Sequence, residues 1–98
     1  MTITDIKFTK EFYNDYDVAP LQVKKAMDKL VRLILDGGKF PNSMNVHSAK
    51  SVYNDVYIGY VTRSGQHWRV LFETDTTYIV ILRLLDHNEA DKYLNQFV

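Results

Sequence analysis

Arg69, Arg83 and His87 are the residues whose types and placement suit chemistry on an anion. A guanidinium is a permanent cation with a planar fork of donors, and an imidazole exchanges a proton near neutrality. Arg69 falls in the β-rich run His67–Glu73 and Arg83 in the run Thr77–Leu85. Side chains alternate faces along a strand, so Trp68, Val70 and Phe72 point one way while His67, Arg69, Leu71 and Glu73 point the other. In the second run Ile79, Ile81, Arg83, Leu85 and His87 share one parity, opposed to Tyr78, Val80, Leu82, Leu84 and Asp86. Both sides are mostly apolar, which predicts a central strand. Arg83 must then reach solvent, a carboxylate or a phosphate, because an unpaired buried charge is too unfavourable to keep. If the strands pair so that both arginines share the face away from the helices, two cations and His87 converge on one cleft. The competing reading makes each arginine a solvated or carboxylate-paired strand residue, with Glu73 and Asp86 nearby, and His87 a helix-start residue bonded to backbone.

Other chemistries lack support. Cysteine is absent from the 98 residues, which removes disulfides, thiolate metal sites and cysteine nucleophiles. His47, His67 and His87 form no i,i+4 pair and have no clustered carboxylates, so no metal site is expected. Nucleophile-elbow, P-loop and dinucleotide-binding glycine motifs are missing, and no cofactor is expected. Lys and Arg balance Asp and Glu at twelve each, which argues against strong nonspecific nucleic-acid binding. The balance is uneven along the chain: residues 20–72 hold eight cations against three carboxylates, leaving room for a local basic cleft. The N-terminus lacks the apolar stretch of a signal peptide and no run approaches the roughly 20 apolar residues of a membrane helix, so a cytoplasmic protein with no membrane partner is expected.

The elements that must position these residues follow from periodicity. A hydrophobic fraction of 46% is ample for one packed interior, so a single domain over residues 1–98 is expected. Ile3 to Phe8 alternates as a half-buried strand. Thr9 can cap a brief helix through Phe12, Tyr13 and Tyr16, which Pro20 stops. Val23, Ala26, Met27, Leu30, Val31, Ile34 and Leu35 then recur at helical spacing until Gly37-Gly38, where a left-handed cap comes easily. Phe40 to Lys50 reads as a connection with an extended piece around Val46. Val52–Thr62, His67–Glu73 and Thr77–Leu85 follow as strands of an antiparallel meander, with turns at Arg63–Gln66 and Thr74–Thr76. Asp86 or Asn88 can cap a last helix, Glu89 to Gln96. The order is β-α-α-β-β-β-α: an α+β fold whose antiparallel sheet carries two N-terminal helices on one face and a short C-terminal helix.

Four stretches carry a resemblance to the RelE/ParE superfamily of type II toxins, especially its RelE and YoeB-like mRNA endonucleases. They are the opening IKFTKEF, the amphipathic VKKAMDKLVRLIL leading to Pro-Asn-Ser, the strand HWRVLF, and the ending LLDHNEADKY, which looks like the family's His-Asp-Glu-Ala-Tyr. The resemblance implies a cytosolic toxin neutralised by an antitoxin that wraps around it, and cleavage of mRNA in the ribosomal A site without a metal. A ribose 2′-hydroxyl would attack the adjacent phosphate, which calls for proton transfer and for stabilisation of charge on the phosphorane. Matched to the family, Arg69 is the phosphate-binding arginine of the penultimate strand, Arg83 a second phosphate-directed cation, and His87 the acid or base of the C-terminal motif. Tyr93 stands near the terminal tyrosine, displaced by Asp91 and Lys92.

One departure concerns the strand before HWRVLF, where relatives carry an arginine or glutamate and this chain reads VYIGYVT, with Tyr60 nearest the arginine. A phenol donates a hydrogen bond or stacks on a base but does not replace a cation. Lys50 and His47, where RelE clusters lysines, are the candidates to compensate, so Lys50, Tyr60, Tyr93 and His47 make up the expected substrate-binding set. The same departure, with the neutral charge, keeps a second class open: a non-nuclease on this scaffold, either a ParE-like topoisomerase inhibitor or a degenerate toxin that only binds its antitoxin.

Overall fold

The computed structural model describes residues 2–49, 56–62 and 67–95. Along them run β1 (Asp5–Phe8), α1 (Lys10–Val18), α2 (Leu21–Gly37), one 3-10 turn (Asn42–Met44), β2 (His47–Ser48), β3 (Val56–Tyr60), β4 (Arg69–Thr74), β5 (Tyr78–Leu85) and α3 (His87–Asn95). The extended piece expected around Val46 forms one residue later, as β2. Lys50 and the turn expected at Arg63–Gln66 lie outside the described residues.

Each helix begins or ends where its local chemistry dictates. Thr9 caps α1, its hydroxyl accepting from the Phe12 N–H at 3.1 Å. In α2 the stripe Val23, Met27, Leu30 and Ile34 is buried, and burying an aliphatic side chain of this size is worth roughly 1.5–3 kcal/mol. Gly38 ends α2 at φ 68°, its N–H donating to the Ile34 carbonyl. Its own carbonyl accepts from the Ile3 N–H at 2.7 Å, so one left-handed residue both stops the helix and anchors the entry to β1. A Cβ there would come within 2.8 Å of Thr2 Cγ2. Gly38→Ala is expected to lower stability by about 1–2 kcal/mol, read as a drop in thermal midpoint by calorimetry; an unchanged midpoint would show that the helix end relaxes freely. At the other end, Asp86 Oδ1 accepts from the Glu89 N–H at 2.8 Å, so α3 starts at His87 rather than at Glu89.

The five strands form one sheet in the order β1-β5-β4-β3-β2. The meander β3-β4-β5 is antiparallel as expected, but β1 adds to the free side of β5 in parallel, pairing Ile6 with Ile79 and Phe8 with Ile81. The helices α1 and α2, which follow β1, cover the face carrying Val70, Phe72, Ile79, Ile81 and Leu84. The opposite face carries Ile58, Leu71 and Leu85, which α3 covers through Ala90 with Tyr93 and Leu94.

The parity of β5 changes partway along. Leu71 pairs with Arg83 but its neighbour Phe72 pairs with Ile81, so Leu82 is an extra residue in β5. Ile79 and Ile81 therefore face the helical layer, while Arg83 and Leu85 face the other side with Leu71. Strict alternation had placed all four together. The bulge is what brings Arg83 to the same face as Arg69.

Among the described residues no helix is long and apolar enough to cross a membrane.

Candidate functional site

Register builds the site. Tyr60 of β3 pairs with Arg69 of β4, which pairs with Leu85 of β5, and two residues beyond Leu85 the chain enters α3 at His87. The row lies on the face away from α1 and α2. It opens onto a hollow of about 430 Å³ lined by Asn45, Tyr60, His67, Arg69 and His87.

Arg69 is held but not satisfied. Its guanidinium carbon sits 5.2 Å from the centre of the Tyr60 ring, a cation–π contact that positions the group without neutralising it. Nε is buried and has no hydrogen-bond partner among the described residues. Nη1 lies 3.8 Å from Asp91 Oδ1, longer than a hydrogen bond, and the side chain keeps 15% of its surface. A buried donor left unmade is unfavourable by about 1–3 kcal/mol, so an anion entering the hollow meets a cation with donors to spare. His87 Nε2 lies 3.5 Å from Asp91 Oδ2, the i,i+4 pairing of α3, so one carboxylate stands between the arginine and the imidazole.

The rim is unusual in its backbone. Asn45 at φ 46° and His67 at φ 49° are the described non-glycine residues in the left-handed region. Such conformations are unfavourable for side-chain-bearing residues and concentrate where a side chain must be aimed. Asn45 terminates the 3-10 turn, and its carbonyl lies 2.8 Å from His47 Nδ1; a carbonyl only accepts, so the proton of that bond belongs to Nδ1. The exposed His47 ring stands 6.0 Å from the Tyr60 ring at an interplanar angle of 55°, extending the aromatic wall beyond the hollow.

Arg83 does not join this group. Asp15 of α1 takes it in a bidentate pair, Nε donating to Oδ2 at 2.7 Å and Nη2 to Oδ1 at 3.0 Å. Asp15 Oδ2 also accepts from the Leu84 N–H at 3.1 Å, and Thr9 donates its hydroxyl to the Leu82 carbonyl at 2.7 Å. These contacts close the edge of β5 beyond the point where β1 ends. The bonds to Asp15 push the Arg83 guanidinium further above its already high range. Its other face lies 5.2 Å from the Tyr93 ring, so Tyr93 serves the second apolar cluster and this ion pair rather than the hollow. Of the expected residues, the structure thus brings Arg69, His87 and Tyr60 together with His47 at their margin, and sets Arg83 and Tyr93 apart.

Three residues of the site were not singled out from sequence. His67 shares the parity of Arg69 two positions on, a signal in plain view. Asp91 follows His87 by one helical turn. Asn45 had no signal beyond its place after Pro-Asn-Ser.

A five-stranded sheet with a helical layer on one face and a polar hollow lined by Arg69 on the other defines a small α+β protein. No family model matches the chain, and no curated protein matches it either. Solved structures do: the RelB–RelE antitoxin–toxin complex from Methanococcus jannaschii (TM-score 0.72, 18% identity, 89% of this chain and 96% of that one), the E. coli DinJ–YafQ toxin–antitoxin complex (0.70, 13%, 91% and 97%) and the YoeB dimer from Staphylococcus aureus (0.66, 18%, 89% and 99%). The chain has the RelE/ParE-like toxin fold that its motifs led us to expect.

Proposed function

We propose that residues 1–98 form one toxin domain of a type II toxin–antitoxin system, acting in the cytoplasm as an endoribonuclease that cuts mRNA in the ribosomal A site by metal-independent attack of a ribose 2′-hydroxyl. The observation that carries this reading is Arg69, whose guanidinium lies beside His87 in the lining of a hollow of about 430 Å³. Arg69 takes the scissile phosphate through its fork and stabilises the charge that grows on the phosphorane. His87 exchanges the proton with the 2′-hydroxyl or the departing 5′ oxygen, and His67 on the same wall supplies the second imidazole that a base-and-acid pair needs. Tyr60 and His47 offer aromatic faces for the flanking bases. An antitoxin chain is the protein partner, as in the RelB–RelE and DinJ–YafQ complexes that share the fold.

A second reading has its own observation. Asp15 neutralises Arg83, leaving Arg69 as the cation that lines the hollow among the described residues. A non-nuclease that inhibits a topoisomerase or only binds its antitoxin fits that weaker charge.

Induction in cells with primer extension on a reporter message decides between them. The nuclease reading expects codon-positioned cuts whose fragments end in 2′,3′-cyclic phosphate and 5′-hydroxyl, the products of internal transesterification. Intact message with arrested growth favours the topoisomerase form of the second reading, and intact message with normal growth sinks the nuclease and the topoisomerase inhibitor and leaves the form that only binds its antitoxin.

A further inference from the structure

Asp91 stands between Arg69 and His87. Its two carboxylate oxygens divide between the groups that the proposed reaction needs, Oδ1 lying 3.8 Å from Arg69 Nη1 and Oδ2 lying 3.5 Å from His87 Nε2. A guanidinium fork accepts a carboxylate and a phosphodiester alike, since each presents two anionic oxygens a short fixed distance apart. We infer that Asp91 is a built-in competitor: in the free protein its carboxylate occupies the anion position between Arg69 and His87, and a phosphodiester must displace it to bind. This inference rests on the reading of Arg69 as a phosphate ligand and adds a residue that opposes it.

Three features make the contact displaceable. Both distances exceed hydrogen-bond length, so the carboxylate shields the two groups without saturating either. Asp91 is 51% exposed and lies on the outer face of α3, so a rotamer change swings it into water. The helix itself stays put, because Ala90 is fully buried against the sheet with Tyr93 and Leu94 packed beside it. Asp91 thereby discriminates by charge: a neutral ligand gains nothing by evicting it, whereas a phosphodiester replaces one anion by another between Arg69 and His87.

An NMR titration of the full chain with dimethyl phosphate tests this without a ribosome, reading the His87 ring signals, which all the variants keep. Asp91→Asn, and independently Asp91→Ala, are expected to tighten the dissociation constant on the order of five-fold, the size of one exposed ion pair, with the thermal midpoint unchanged because the residue is half in water. Arg69→Ala is the control that should lose the saturable shift. If Arg69→Ala loses binding while both Asp91 variants bind as the parent or more weakly, the competitor role is overturned and Arg69 keeps its assignment. If none of the four proteins gives a saturable shift, the competitor role and the phosphate reading both fall.

Discussion

If the proposed nuclease reading holds, Arg69→Ala is expected to abolish message cleavage in induced cells and to relieve growth arrest, with a loss in cleavage rate of at least about 10²–10³-fold. That range is what removing one preorganised donor from an anionic transition state typically takes away. The guanidinium is worth more than a surface charge because its environment is already arranged: the Tyr60 ring lies against it, and the side chain keeps only 15% of its surface, so little water must be stripped from it when a phosphate arrives. Arg69→Lys restores the charge but not the fork and recovers a minor part of the activity. The side chain packs partly against Tyr60, so the alanine variant is expected to lose only about 1 kcal/mol of stability. Circular dichroism beside the primer-extension assay separates that loss from the catalytic one. Full cleavage by Arg69→Ala would remove the basis of the nuclease reading.

The largest expected effect on stability belongs to Asp15→Ala. Asp15 is 13% exposed and its partner Arg83 27%, and the same carboxylate accepts the Leu84 N–H. Its removal strands a partly buried guanidinium and an edge amide together. Breaking a fully buried pair costs 3–5 kcal/mol; discounted for the water that reaches Arg83, the expected loss is about 2–3 kcal/mol, a fall in thermal midpoint of roughly 10–20 °C for a chain of this size. A double variant with Arg83→Met recovers much of the loss, because the methionine leaves only the Leu84 amide without its acceptor. Equal midpoints for the parent and Asp15→Ala would mean that the bidentate pair contributes nothing to the fold.

Short-range periodicity made much of this architecture legible. The α2 stripe and its glycine stop are encoded within one stretch of chain, and the alternation Trp68-Val70-Phe72 against Arg69-Leu71 reports its two faces directly. The run Tyr78–Leu85 could not report the bulge at Leu82, because it is apolar on both parities and a slipped residue leaves no break in the pattern. The partner of Arg83 was equally out of reach: Glu73 and Asp86 were the near carboxylates, yet the one that binds it stands 68 positions upstream on α1. Parallel pairing of β1 with β5 is set by the same kind of long-range contact. Within the site, Arg69, His87 and Tyr60 were readable from residue type, whereas the aim of Asn45 and His67 depends on left-handed backbone that neither residue announces.

The parallel seam between β1 and β5 ties the order of synthesis to the birth of the hollow. The first strand leaves the ribosome early and must wait for the last one, since its hydrogen-bonding partners begin at Tyr78. Pairing across so long a stretch is slow compared with helix formation, so until β5 arrives α1 and α2 have no completed sheet to pack on, and a helix as short as α1 is marginal in water by itself. Arg69 likewise lacks its neighbour until Leu85 arrives. A polypeptide released before that strand has neither a central ribbon nor the pairing that holds Arg69 in its row.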